Sequence, residues 1–276
     1  MLAAIVSVLV TLTLVTVRWG LLAAPDSGRS CWRVLWHSVV LGQAVNILVP
    51  LRFGEGARVV MTARHFGLPV GRVVTAAAVE RLFDVAAFLV AGLFVFSIGP
   101  LPEGVADRAP LAAAFAVVTV LGLIAIVRLL PSLARGEPRS ANRFVRWLQT
   151  QAAAAGHGWT AVAHTGKLVV VSALTVVILL SSAFTNLLML RAFDLAIPAT
   201  AALVLLIVLQ IGTAVVSVPG NIGVFHYLTV LTLAQWQVPP ATALAVAIVL
   251  HAVSVGPKLL LAPFALIDRP DRPARA

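Results

Sequence analysis

The sequence predicts an all-α, polytopic integral membrane protein: a helical bundle of about seven crossings plus one or two re-entrant or broken helices. Three observations predict it. Only 11% of the residues are charged and 61% are hydrophobic, against about 25% charged in a soluble domain. Apolar runs at 1–17, 85–98, 111–127, 168–190, 199–218 and 241–267 supply, alone or with their flanks, the roughly 20 residues that cross ~30 Å of hydrocarbon as a helix. The basic residues gather in alternate loops, as they do on the cytoplasmic side of a membrane protein.

That last pattern orders the crossings. Arg29 and Arg33 follow the first helix, and Arg52, Arg58, Arg64 and Arg72 follow the second apolar stretch. Arg135, Arg139, Arg143 and Arg146 fill the long loop against Glu137, and Arg269, Arg272 and Arg275 the tail. The other loops hold Glu103, Asp107 and Arg108, or Arg191 and Asp194. With basic loops inside, a first helix near 1–22 runs inward and 34–66 begins and ends inside as a hairpin. Segments 70–99, 110–130, 167–190, 199–218, 219–237 and 240–266 then alternate, leaving the C-terminus cytoplasmic. The chain reads as one membrane domain over 1–276, multi-pass in the cell membrane. No basic n-region or cleavage site marks the first run as a secretory signal. Within the long loop, Arg139, Arg143 and Arg146 at helical spacing opposite Phe144, Trp147 and Leu148 predict an interfacial helix over 139–151.

The net charge of +10 belongs to those loops, and no aromatic-basic surface accompanies it, so nucleic acid is excluded as a partner. A single cysteine, Cys31, excludes an intrachain disulfide and a cysteine metal cluster. The scattered histidines lack metal-site spacing, no Walker motif or G-x-S-x-G occurs, and neither cofactor nor metal is expected.

Chemistry concentrates where the apolar pattern breaks. In "NILVPLRFGEGARVV" (46–60), Pro50 ends one helix, Gly54 and Gly56 loosen the chain, and Glu55 sits where a second helix starts. Broken backbone at membrane depth is tolerated only where protein or water covers it, so this stretch predicts the tip of a re-entrant hairpin. Asn46, Arg52, Glu55 and Arg58 are its candidate binding residues. "VERLFD" (79–84) places Glu80, Arg81 and Asp84 on one helix that runs into apolar sequence. Such charges need partners, for which Arg52, Arg58 and Arg64 are available. The blander reading is an ion-paired tie between helices; the functional one is a polar cavity whose arginines hold a lipid phosphate. "VSVPGNIGVFHYL" (216–228) is a second interruption, with Asn221 and His226, and paired interruptions point to transporter substrate sites.

These residues resemble the lysylphosphatidylglycerol synthase transmembrane-domain family of flippase-like membrane proteins. The resemblance rests on Asn46, Pro50, Arg52, Gly54, Glu55 and Arg58, then Glu80, Arg81 and Asp84, then Pro219, Gly220 and Gly223. It covers nearly the whole chain and implies a protein that moves a lipid between leaflets. Three departures are expected to matter. The family's soluble aminoacyl-transfer domain is absent, which argues against lipid synthesis. "VTVRWG" (15–20) is similar to the end of the family's second helix, which implies a helix upstream. Where the family has Glu and Arg, this chain has His226 and His251, which would make that half of the site pH-responsive. The expected function is a non-enzymatic lipid flippase or transporter for a phospholipid or lipid-linked headgroup. Its partners would be anionic or aminoacylated phospholipids or a polyprenyl-phosphate-linked saccharide, with a second copy of the chain or a membrane enzyme alongside. The alternative is a non-transporting membrane partner of a lipid- or glycan-modifying enzyme.

Overall fold

A computed structural model describes residues 1–24, 31–49, 53–98, 166–215 and 218–267, with isolated positions between 114 and 153. These residues are helical throughout: α1 (Leu2–Ala23), α2 (Trp32–Leu48), α3 (Phe53–Phe66), α4 (Val70–Ile98), α5 (Lys167–Ala192), α6 (Thr200–Val215), α7 (Val224–Ala234) and α8 (Pro240–Ile267). A 3₁₀ turn, Pro219–Asn221, separates α6 from α7. Among them, α1, α5 and α8 are long and apolar enough to cross a bilayer, and α6 is apolar but shorter. The protein is thus a multi-pass helical membrane protein. The expected crossing at 110–130 and the interfacial helix at 139–151 lie largely outside the described residues.

Apolar sequence makes these helices, and several of their hydroxyls are satisfied within them. Thr11, Thr13 and Thr16 each donate to the carbonyl four residues back, as do Thr62 and Thr175, which keeps these hydroxyls from meeting hydrocarbon bare. The remaining polar contacts fix which helices meet. Ser7, Thr11, Ser181 and Thr185 interlock α1 and α5 in antiparallel register. The free N-terminal amide of Gly71 in α4 donates to Gln151 Oε1 at 2.7 Å, capping that helix from the long loop.

The hairpin predicted over 34–66 is present. Asn46 meets Glu55, Gly42 meets Gly54, and Ser38 meets Thr62, a pairing that only antiparallel helices give. α3 starts at Phe53, two residues before Glu55, which places Glu55 in its positive first turn. The hairpin also stops short. Leu35 of α2 abuts Gly20 of α1, so both ends start level. From there α2 runs about 20 Å to Leu48, whereas α1 continues about 27 Å to its own start. The described end of α2 therefore falls short of the far end of α1.

The second interruption differs from its expectation as a crossing over 219–237. The turn and Gly223, at φ +86°, break the stretch, leaving α7 with 11 residues, or about 17 Å. That is too short to cross alone, and α6 with α7 forms a broken helix pair. Gly220, at φ +63°, lies against the Ile47 carbonyl, so the two interruptions meet. In α8, Pro257 and Pro263 sit inside a continuous helix, each removing one backbone bond.

Candidate functional site: a closed ring of ion pairs

Within the bundle, three guanidiniums and three carboxylates alternate around a closed ring. Arg18 Nη2 donates to Glu80 Oε1 at 2.9 Å, and Arg58 Nη2 donates to Glu80 Oε2 at 2.6 Å. The same Arg58 nitrogen reaches Glu55 Oε2 at 2.8 Å, and Arg81 Nη2 takes the other oxygen, Glu55 Oε1. Arg81 Nη1 then meets Asp84 Oδ2 at 3.1 Å, and Arg18 Nη1 closes the circuit on Asp84 Oδ1 at 2.6 Å. Each carboxylate bridges two arginines, and each arginine bridges two carboxylates. The ring is neutral overall, which is what makes six charges tolerable in a bilayer.

Three helices supply it. α4 contributes Glu80, Arg81 and Asp84 at a spacing that turns all three toward one side. α3 contributes Glu55 and Arg58, three apart, and α1 contributes Arg18, five residues from its C-terminal end. Thr175 of α5 accepts a further bond from Arg18 Nη1 at 2.9 Å. Asn46 of α2 lies 3.4 Å from Glu55 Oε1.

Burial divides the ring. Glu80, Arg18 and Arg58 have side chains 1%, 3% and 5% exposed, whereas Asp84, Glu55 and Arg81 reach 18%, 30% and 39%. The first three form a closed inner edge and the others a rim open to space. On the inner edge the Arg58 guanidinium stacks 4.0 Å from the centroid of Trp19, which is fully buried. Trp19 Nε1 donates to Thr62, which also contacts Ser38. Among the described residues the Nε–H groups of Arg18 and Arg58 are buried without hydrogen-bond partners, so both guanidiniums make their hydrogen bonds through their terminal nitrogens. Replacing Trp19 by Phe should lower stability by about 1–2 kcal/mol, through the lost Thr62 bond and weaker stacking on Arg58. Thermal unfolding in detergent measures this, and an unchanged midpoint would show that the stack contributes nothing.

The structure gathers Asn46, Glu55, Arg58, Glu80, Arg81 and Asp84 into one site. It adds Arg18, with Trp19 and Thr175 beside it. Arg64, offered by the sequence as an ion partner, is instead exposed in the last turn of α3. Arg52 lies outside the described residues. Asn221, His226 and His251 form a second group around the break between α6 and α7. Asn221 takes φ +53° in the turn, and His226 Nδ1 accepts from the Gly223 N–H at 3.3 Å. The rings of His226 and His251 meet edge to face at 5.0 Å, and His251 stacks on Phe225 at 4.8 Å. No hydrogen bond or ion pair joins this group to the ring among the described residues. The turn at Gly220 and α8 both pack against α2, which relates the two groups through the hairpin.

A multi-pass helical bundle with a short helical hairpin and a neutral ring of charge inside it defines a class of integral membrane protein. Within that class, residues 1–262 match the family described as the lysylphosphatidylglycerol synthase TM region, and the chain belongs to it. No curated protein and no solved structure matches the chain.

Proposed function

We propose that the protein moves a phospholipid or lipid-linked headgroup between the leaflets of the cell membrane, with its C-terminus cytoplasmic. Membership of a membrane family named for a lipid synthase supports a lipid as its ligand. The observation that carries the reading is the open rim of the ring. Glu55 holds both Arg58 and Arg81 there, while the inner pairs tie the helices together. An anionic phosphate arriving at the rim replaces Glu55 as the acceptor for Arg81, a bidentate exchange that guanidinium geometry favours. The reading assigns the protein no catalytic step.

The rim also decides which substitutions are informative. Arg58 is walled in on Trp19, so its removal takes one of two partners from buried Glu80 and would disturb the fold as well as any transport. Glu55→Gln and Arg81→Gln alter rim residues and are the cleaner tests. Each should lower translocation of a fluorescent phospholipid in reconstituted vesicles by about tenfold or more, the scale of one lost charge-assisted bond at the moving group. Wild-type rates in both variants would reject the site. Failure of the purified wild-type protein to translocate any lipid, together with co-purification of a lipid- or glycan-modifying enzyme, would favour a non-transporting partner.

A further inference from the structure

One histidine holds the start of α7. Gly223 is the N-cap of that helix, at φ +86°, and His226 stands three residues on, in its first turn. The Gly223 N–H donates to His226 Nδ1 at 3.3 Å, the bond that Glu or Gln makes at this position in a capping box. A neutral imidazole has a single acceptor nitrogen, so the bond fixes His226 as the tautomer with its hydrogen on Nε2. A protonated imidazole has no acceptor. Whichever way the ring then turns, it faces the Gly223 N–H with a second donor, and the cap is lost.

The surroundings push on the ring once it is charged. The first turn of α7 is the positive end of the helix dipole. His251 of α8 meets His226 edge to face at 5.0 Å and reaches the Gly220 backbone of the same turn. The other ionisable groups on the packed elements offer little relief. α6 carries none, and α7 adds only the exposed Tyr227. α8 adds Lys258, seven residues beyond His251, and α2 adds Arg33 and His37 in its first half. Arg18 of α1 and Glu55, across the hairpin in α3, are engaged in the ring. Asp194 precedes α6, whereas the turn follows it. Protons have a path to the bond: non-helical backbone at membrane depth needs cover or water, and Ile222 and Gly223 are exposed.

We propose that His226 is a proton-operated latch on the break between α6 and α7. Neutral, it caps α7 and keeps the turn in place; protonated, it lets go of the Gly223 N–H and the first turn of α7 unwinds. The closed form is the one without the extra proton, so acid favours the open form. The latch bears on the rest of the molecule at one known place. Gly220 lies against the carbonyl of Ile47, the residue after Asn46, so release of the turn frees the hairpin on the side of the ring's rim. The latch is a property of the fold and holds whether or not the protein moves lipid.

The test is amide hydrogen exchange on the intact chain in phosphatidylcholine nanodiscs, at about pH 7.5 and about pH 5.5, either side of the histidine range. Rates are read by mass spectrometry and corrected for the intrinsic effect of pH on exchange. In the wild type, peptides covering 223–228 should exchange about fivefold faster in acid, the scale of one helix cap, while those of α1 stay unchanged. His226→Gln supplies a capping-box acceptor that gains no proton, so it should stay protected at both pH values. His226→Ala has no acceptor and should exchange at the fast rate at both. His251→Gln leaves the cap in place and should still open in acid. Wild-type exchange that ignores pH would overturn the proposal, and this comparison requires no variant to fold. So would an acid response in His226→Gln equal to that of the wild type. A response lost in His251→Gln but kept in His226→Gln would move the switch to His251 and reject the latch at His226.

Discussion

Arg18→Met is expected to destabilise the protein by about 3–5 kcal/mol, the cost of breaking a buried ion pair by removing one partner. The ring explains the size of the effect. Arg18 serves both Glu80, 1% exposed, and Asp84, and without it the six-charge circuit becomes five charges with one uncompensated negative charge. Glu80 keeps Arg58 and Asp84 keeps Arg81, so each carboxylate loses half of its support while remaining out of water. Charge balance, more than any one contact, is the quantity at stake. Arg18→Met combined with Asp84→Asn restores neutrality, leaving Glu80–Arg58 and Glu55–Arg81 as two complete pairs. The double variant should therefore be more stable than Arg18→Met alone, despite carrying an extra substitution. Unfolding followed by intrinsic tryptophan fluorescence in detergent compares them. A double variant less stable than the single one would show that the ring acts as separate bonds, with no shared balance.

Gly54→Ala should cost about 1–3 kcal/mol, at the upper end of that range for overpacking, because the obstacle is backbone. A Cβ at Gly54 would run into the Gly42 carbonyl oxygen and the Asn46 side chain, where α2 and α3 come closest. Relief requires the two helices to part, which also draws Glu55, the next residue, away from Arg81 and Arg58. Loss of stability and loss of translocation should therefore appear together. Gly56→Ala is the contrasting control: nothing lies within 4 Å of its added methyl. In a helix that change is neutral or stabilising by about 0.5–1 kcal/mol. Equal behaviour of the two alanine variants would show that the hairpin does not depend on close approach at Gly54.

Much of this arrangement was legible in the sequence because a bilayer leaves few choices. Apolar length set α1, α5 and α8, and Pro50 beside two glycines marked the hairpin turn. Glu80, Arg81 and Asp84 could not face lipid, so they had to meet the charges near Glu55. Arg18 escaped notice because a basic residue near a helix end also satisfies the cytoplasmic bias of arginines. Counting would have found it: Glu55, Glu80 and Asp84 against Arg58 and Arg81 leave one carboxylate without a counter-charge. Arg18 is the basic residue that α1 carries. The choice of Arg64 failed for a geometric reason. It lies six residues beyond Arg58, about 9 Å further along α3, toward the exposed end of that helix. The shortness of α7 was hidden as well, since apolar residues continue past the break and only the positive φ at Gly220, Asn221 and Gly223 shows where the helix stops. The meeting of the two interruptions at Ile47 and Gly220 is a long-range contact that no local pattern encodes.

The alternation of three positive and three negative groups also has an electrical meaning. An embedded unit charge carried across a membrane exchanges about 2.3 kcal/mol with each 100 mV of potential, but a unit summing to zero exchanges none as it moves as a body. Displacement of the ring as one body is therefore silent to the cell's voltage. Any voltage sensitivity of transport then comes from charges outside the ring, those of the cargo among them.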